Sequence, residues 1–133
     1  MAGSPLHTFR VRTEAREELR EVTSLVADTI AAKGGSGLAT IFVPHTSAGV
    51  TINENADRDV ARDMLLWLQR LVPNSDEFRH MEGNSDAHIK TTLVGNSVTI
   101  PYTGGRLRLG TWQGIYLCEF DGPRTRTVEL FLP

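Results

Sequence analysis

The chain holds one cysteine, Cys118, which excludes an internal disulfide framework and fits a reducing compartment. No apolar run approaches the roughly 20 residues needed to cross a bilayer, and the first fifteen residues lack the apolar core of a secretory signal. These absences give a cytoplasmic reading with no membrane partner. Neither sign of charge dominates: 14 basic residues against 16 acidic ones leave a formal charge of -2, too balanced for a broad attraction to nucleic acid. There is no long P-loop pattern ending in Gly-Lys-Ser/Thr and no dinucleotide-binding glycine pattern. Ser47 does not stand in a Gly-x-Ser-x-Gly elbow, so a serine hydrolase of that kind is excluded. Internal repeats, low-complexity tracts and domain linkers are also missing.

What remains is an ordinary soluble composition over 133 residues, enough for one domain and one core. Met1 to Pro5 reads as a flexible N-terminus and residues 6–133 as the domain. Leu6 to Val11 reads as a first strand. Glu17 to Lys33 reads as a helix, because Leu19, Val22, Val26 and Ile30 recur at spacings of three and four, with Leu25 widening the stripe. Gly34-Gly35 stops it. Leu38 to Val43 is apolar on both parities and reads as a central strand covered on both sides, ended by Pro44. Gly49 to Ile52 reads as a short strand. A helix from about Ala56 to Leu71 would bury Val60, Met64, Trp67 and Leu71, with Asn53 or Asn55 as its cap.

Pro73 to Asp86 is long for a plain connector. His88 to Val94 and Ser97 to Tyr102 read as strands around Gly95-Asn96. Leu107 to Leu109 is briefly extended, Thr111 to Phe120 is a strong strand, and Arg124 to Leu132 returns after an Asp121-Gly122 turn. The expected fold is α+β: one domain, mainly antiparallel, with helices packed on one side. Two helices cannot cover that much apolar strand surface, so another sheet or another subunit is needed.

The stretch from His45 to Asp57 carries a histidine, three hydroxyls, a glycine and two carboxylates, Glu54 and Asp57, between a buried strand and a helix. Polar groups on a loop held by a rigid scaffold point to a site. His45, His80 and His88 all fall in unusual places. Together they could hold zinc and leave a fourth position open, although their spacing is not a metal signature and separate hydrogen-bonded histidines are the plain alternative. Glu54 could hold a divalent cation, Zn2+ or Mg2+, take a proton, or orient a histidine, and capping is its plain alternative. Thr46-Ser47 and Thr103-Gly104-Gly105-Arg106 are candidate anion surfaces. Trp112-Gln113 adds a planar surface and an amide, with core packing the ordinary role of Trp112. Asp121 and Arg124 flank a turn, where a local side-chain bond is the ordinary role. Cys118, mid-strand among apolar residues, reads as buried and inert.

Several separated motifs, in order, resemble the YjbQ (UPF0047) family, also called the secondary thiamine-phosphate synthase family. They are His45-Thr46-Ser47-Ala48-Gly49, Asn53-Glu54-Asn55, Asp59-Val60 with Asp63, Glu82-Gly83, Asp86-Ala87-His88-Ile89-Lys90, Gly95-Asn96-Ser97, Leu109-Gly110-Thr111-Trp112-Gln113 and Asp121-Gly122-Pro123-Arg124, spanning about Phe9 to Leu132. The resemblance implies a homotrimer with a polar pocket and leaves the primary substrate open; a small phosphorylated metabolite is the expected partner. It also implies a secondary ability to join hydroxymethylpyrimidine diphosphate to thiazole phosphate. His45, Glu54, His80, His88, Gln113 and Asp121 carry the family's polar motif positions. His45, Glu54 and His88 are the expected catalytic groups. Thr46, Ser47, Arg106, Trp112, Gln113, Asp121 and Arg124 are the expected substrate contacts. Arg58 departs from the pattern where proline is common, and the segment before Asp86 is shorter than the asparagine-rich form. Metal-assisted hydrolysis of a phosphorylated metabolite and a non-enzymatic ligand-binding trimer remain open beside the synthase reading.

Overall fold

The computed structural model describes residues 4–133; residues 1–3 of the expected flexible N-terminus lie outside them. Eleven elements follow in order: β1 (Leu6–Arg12), β2 (Glu18–Glu21), α1 (Thr23–Lys33), β3 (Gly37–Phe42), β4 (Ala48–Glu54), α2 (Arg58–Leu71), α3 (Ser85–Val94), β5 (Ser97–Thr103), β6 (Arg106–Leu107), β7 (Gln113–Glu119) and β8 (Thr125–Phe131). Every strand pairing is antiparallel. The strands form a five-stranded sheet, β1-β8-β3-β5-β6, and a three-stranded sheet, β2-β7-β4.

Period-two alternation places the core between the two sheets. Ala39 and Ile41 of β3, Ile100 of β5 and Val128 and Leu130 of β8 meet Val50 of β4 and Ile115 and Leu117 of β7. Val26 and Ile30 of α1 join the same core. The other face of β7 turns Cys118, followed by Phe120, toward Ala87 of α3, with Leu19, Leu68 and Val94 around them. β7 is therefore covered on both faces, as its apolar residues on both parities require. Burial pushes the Cys118 thiol up to about 12, so it stays protonated and unreactive. Among the described residues no helix is long and apolar enough to cross a membrane.

Six expectations need correction. The stretch from Glu17 to Lys33 is not one helix. Its first part is β2, where Leu19 pairs with Cys118, and the Val22 amide bonds the Ile115 carbonyl before α1 starts at Thr23. The spacing of Leu19 to Val22 suited a helix, but sheet pairing with β7 decides the conformation. The stretch from His88 to Val94 is not a strand but most of α3. Its Thr91 and Val94 have strand propensity, yet Ala87 and Thr91 are buried on one side of a helix that lies against β4. The approach is close: a Cβ on Gly49 would lie 2.4 Å from the Gly95 carbonyl oxygen, which accepts the Val50 amide.

The helices are three and do not share one side. α1 packs into the core between the sheets, whereas α2 and α3 lie toward the opposite face of β2-β7-β4. Finally, α2 buries none of its residues: Trp67 is 58% and Leu71 68% exposed. Its cap is Asp57, whose carboxylate accepts the Asp59 amide at 2.9 Å, in place of Asn53 or Asn55. β3 is also covered on one face only, with Leu38 59% exposed.

Candidate functional site

The His45–Asp57 stretch is divided by the fold. His45, Thr46 and Ser47 precede β4, and Glu54 is its last residue. Seven extended residues span about 20 Å at roughly 3.3 Å per residue. Register confirms the split: Ala48 faces Glu119 on β7, while Glu54 faces Gln113 at its other end.

At the first end, α3 presents His88. Its Nδ1 lies 2.9 Å from the Thr46 carbonyl oxygen. A carbonyl can only accept, so the ring proton is on Nδ1 and the Nε2 lone pair is left open. The His80 ring stands edge-on to it at a centroid distance of 5.5 Å. His80 Nε2 is 4.0 Å from Glu82. One helical turn before His88 is Asn84, on the same helix face. Asn84 Nδ2 donates to Asp121 Oδ2 at 2.7 Å. Arg124 donates to the same carboxylate oxygen at 3.1 Å and through Nε to the Asp121 carbonyl at 2.9 Å. Asp121 thus makes its local turn bond and also ties the turn to α3. Asn84, Asp121 and Arg124 are thus joined by hydrogen bonds, and His88, with His80 beside it, stands one helical turn further along α3.

Two charge networks hold this surface in place. Glu119 and Arg126 are buried and paired, with Arg126 Nε 3.0 Å from both carboxylate oxygens. Burial opposes the Glu119 charge, but bonds from Arg126, Thr13 and the Asp121 amide outweigh it and hold its pKa below the usual range. Arg126 also donates to the Ser47 hydroxyl at 2.9 Å and to its carbonyl at 3.1 Å. Ser47 therefore faces inward as a structural residue, and only Thr46 of that pair is exposed. Behind α3, Asp86 takes bonds from Arg16 at 3.1 and 3.2 Å and from Lys90 at 3.3 Å. Burial raises its pKa, yet Arg16 and then Lys90 bring the net shift downward. Asn96 fastens the connecting loop by donating to the carbonyls of Val43, His45 and Ala48. Reading the sequence had assigned no role to Arg16, Glu119 or Arg126. A charged residue at an inward strand position is the signal that could have found the last two.

His45 differs from His88. Its Nε2 accepts the Thr127 amide at 2.9 Å, so its one lone pair is spent and the proton sits on Nδ1. Burial, then the Arg126 charge, lowers its pKa. The unfolded chain therefore binds a proton at His45 more readily than the folded chain. Stability from this residue is present above its unfolded value, about 6.5, and is lost as pH falls below it. We expect the melting temperature to drop between pH 7.5 and pH 5.5. His45→Gln, which keeps an acceptor for Thr127, should flatten that drop; an unchanged slope would contradict this role. The lowered carboxylates act only nearer pH 4 and do not account for that window.

The three-histidine metal site is thus only partly assembled. Among the described residues no group of three or more His, Cys, Asp or Glu side chains is placed to hold a metal ion. His80 and His88 are neighbours; His45 would have to release the Thr127 amide to join them.

At the second end, Tyr116 donates to the Glu54 carbonyl at 3.1 Å, and Gln113 Oε1 accepts the Gly110 amide at 2.8 Å. Gln113 therefore fastens its own turn. Trp112 is 61% exposed and does not pack in the core. Arg106 lines a cleft of about 370 Å³ with Thr103, Arg108 and Gly110. Within one chain, Glu54, Arg106, Trp112 and Gln113 are separated from His88, Asp121 and Arg124.

Two antiparallel sheets around one core define a small α+β domain, and its polar loops gather at the strand ends as a candidate site. The chain belongs to the YjbQ family: residues 7–132 match the family described as UPF0047 protein YjbQ-like. It is 52% identical over 124 residues to the UPF0047 protein YugU of Bacillus subtilis, covering 92% of this chain and 94% of that protein. A UPF0047 protein of Methanocaldococcus jannaschii is 51% identical over 122 residues, covering 91% and 88%. A crystal structure of a YjbQ/UPF0047 family protein from Clostridium acetobutylicum superposes with a TM-score of 0.90 at 46% identity, covering 93% of this chain and 97% of that one. A conserved hypothetical protein from Thermus thermophilus gives 0.90 at 42% identity, covering 96% and 99%.

Proposed function

We propose that this protein acts on a small phosphorylated metabolite at the His88 end of the molecule. The reaction to test first joins hydroxymethylpyrimidine diphosphate to thiazole phosphate with release of pyrophosphate. One observation carries the reading: His88 is anchored through Nδ1 to a backbone carbonyl with Nε2 left open, on the helix whose first residues are tied through Asn84 and Asp121 to a guanidinium, Arg124. An imidazole held in one tautomer is equipped for proton transfer. A guanidinium suits phosphate oxygens.

In this reaction the thiazole nitrogen attacks the methylene carbon, the carbon–oxygen bond breaks, and pyrophosphate leaves with the electron pair. Protonated His88 would donate to the leaving oxygen, and Arg124 would bind the phosphate. A divalent cation, zinc or magnesium, would add charge neutralisation, with His80 as a candidate ligand; His88 would join it only in place of its acid role, because its Nε2 cannot carry a proton and bind a metal at once. Glu54 lies at the far end of β4 within one chain, so its expected catalytic role would require a neighbouring copy to bring it here. The test supplies both substrates under varied divalent metals. Thiamine phosphate as product supports the synthase reading. Phosphate release without use of thiazole phosphate would replace it with hydrolysis. Tight binding without turnover would replace it with a ligand-binding module.

We also infer a closed homotrimer, built on the uncovered face of the five-stranded sheet. Leu38, Phe42 and Phe131 stand exposed there, with Pro101 opposite Leu38. An apolar face of this kind is commonly buried by symmetric association. The solution mass is expected at three times the 14.7 kDa chain, and Leu38→Asp should lower it. A monomeric wild type at micromolar concentration would refute the inference.

A further inference from the structure

We propose that the cleft beside the β5–β6 hairpin is a second anion site, which takes a phosphate or diphosphate group independently of His88. The hairpin turns through Gly104 and Gly105, with φ of 57° and 72°. Two successive positive φ values belong to the tight two-residue turn that favours glycine. This turn sets Thr103 directly opposite Arg106. From there the chain alternates. Leu107 and Leu109 are partly buried against the core, while Arg106 and Arg108 are exposed. The two leucines therefore anchor the segment, and the two guanidiniums rise from its other side, about 7 Å apart along the backbone.

The cleft of about 370 Å³ is lined by Thr103, Arg106, Leu107, Arg108, Leu109 and Gly110, with no carboxylate among them. Among the described residues neither guanidinium is ion-paired, so both are free to meet an anion, unlike Arg124, which Asp121 holds. Two like charges on one side of a strand repel, and an anion between them relieves that repulsion while accepting a fork of hydrogen bonds from each. The Thr103 hydroxyl adds a neutral donor. The volume lies at the low end for small-molecule sites, which suits a small phosphorylated compound. The turn from Gly110 to Gln113, closed by the Gln113 amide oxygen on the Gly110 amide, fixes one wall.

The experiment follows backbone amide shifts as inorganic pyrophosphate is added to the full chain at low salt. We expect saturable shifts at Gly104, Gly105 and Gly110. The Arg106→Gln/Arg108→Gln double variant should bind at least tenfold more weakly there. His88→Gln should leave those shifts unchanged, which separates this site from the His88 site whether or not the latter is catalytic. Both positions are exposed, so the double variant should keep the wild-type melting curve. Unsaturable shifts, or saturation by the double variant at the wild-type concentration, would overturn the proposal.

Discussion

Arg126→Ala should destabilise the protein by about 3–5 kcal/mol, the range for removing one partner of a buried ion pair. Glu119 is 0% exposed and Arg126 2%. Without the guanidinium, Glu119 must either stay charged with only the Thr13 hydroxyl and the Asp121 amide as donors, or take up a proton. Ser47 loses two donors at the same time, so the segment carrying His45 loosens with it. A loss of this size is a large part of the roughly 5–15 kcal/mol that holds an ordinary domain together. Urea titration gives the value. Replacing both members by apolar residues, as in Glu119→Leu/Arg126→Met, should recover part of the loss, because the cost lies in the unpaired charge. A change below about 1 kcal/mol in the single variant would mean that the pair is well solvated when broken, contrary to its burial.

His88→Ala should lower the rate of product formation by about 10²–10⁴, the usual contribution of a positioned proton-transfer group. The substitution should affect stability far less than Arg126→Ala, since the ring is partly exposed and makes one bond to a backbone carbonyl. His45→Gln should show the reverse pattern, altering the pH dependence of melting while leaving most of the turnover. Rate measurements on both variants, each confirmed folded by its melting curve, separate the two histidines. Equal losses from both would remove the distinction drawn from their hydrogen bonds.

Much of the fold was legible because burial follows period. β7 could be read from apolar residues on both parities, and the stop of α1 from Gly34-Gly35, where Gly34 takes a positive φ of 72°. The misread elements are those where a local pattern suited one structure and a distant partner selected another. Leu19 satisfies a helical spacing, but β7 offers it a strand pairing. The α3 residues include strand formers, yet their buried side faces β4. Trp67 and Leu71 follow a helical stripe, yet both stand exposed because among the described residues no element packs over them.

The site was legible as a set of residue types, not as a place. Nothing between Ala48 and Glu54 told that their strand would part His45 from Glu54. The roles of the histidines rest on which backbone group meets which ring nitrogen, Thr46 for His88 and Thr127 for His45. Those partners lie 42 and 82 residues away, beyond the reach of local patterns. The linked surface of Asn84, Asp121 and Arg124 likewise needed the Asp121 turn brought against the start of α3.

The most direct measurement of the central claim is the ¹⁵N shift of each imidazole nitrogen, with and without hydroxymethylpyrimidine diphosphate. The account predicts that His88 Nε2 moves on binding, while His45 Nε2 keeps the shift of a nitrogen accepting the Thr127 amide. Movement at His45 with His88 unchanged would contradict it.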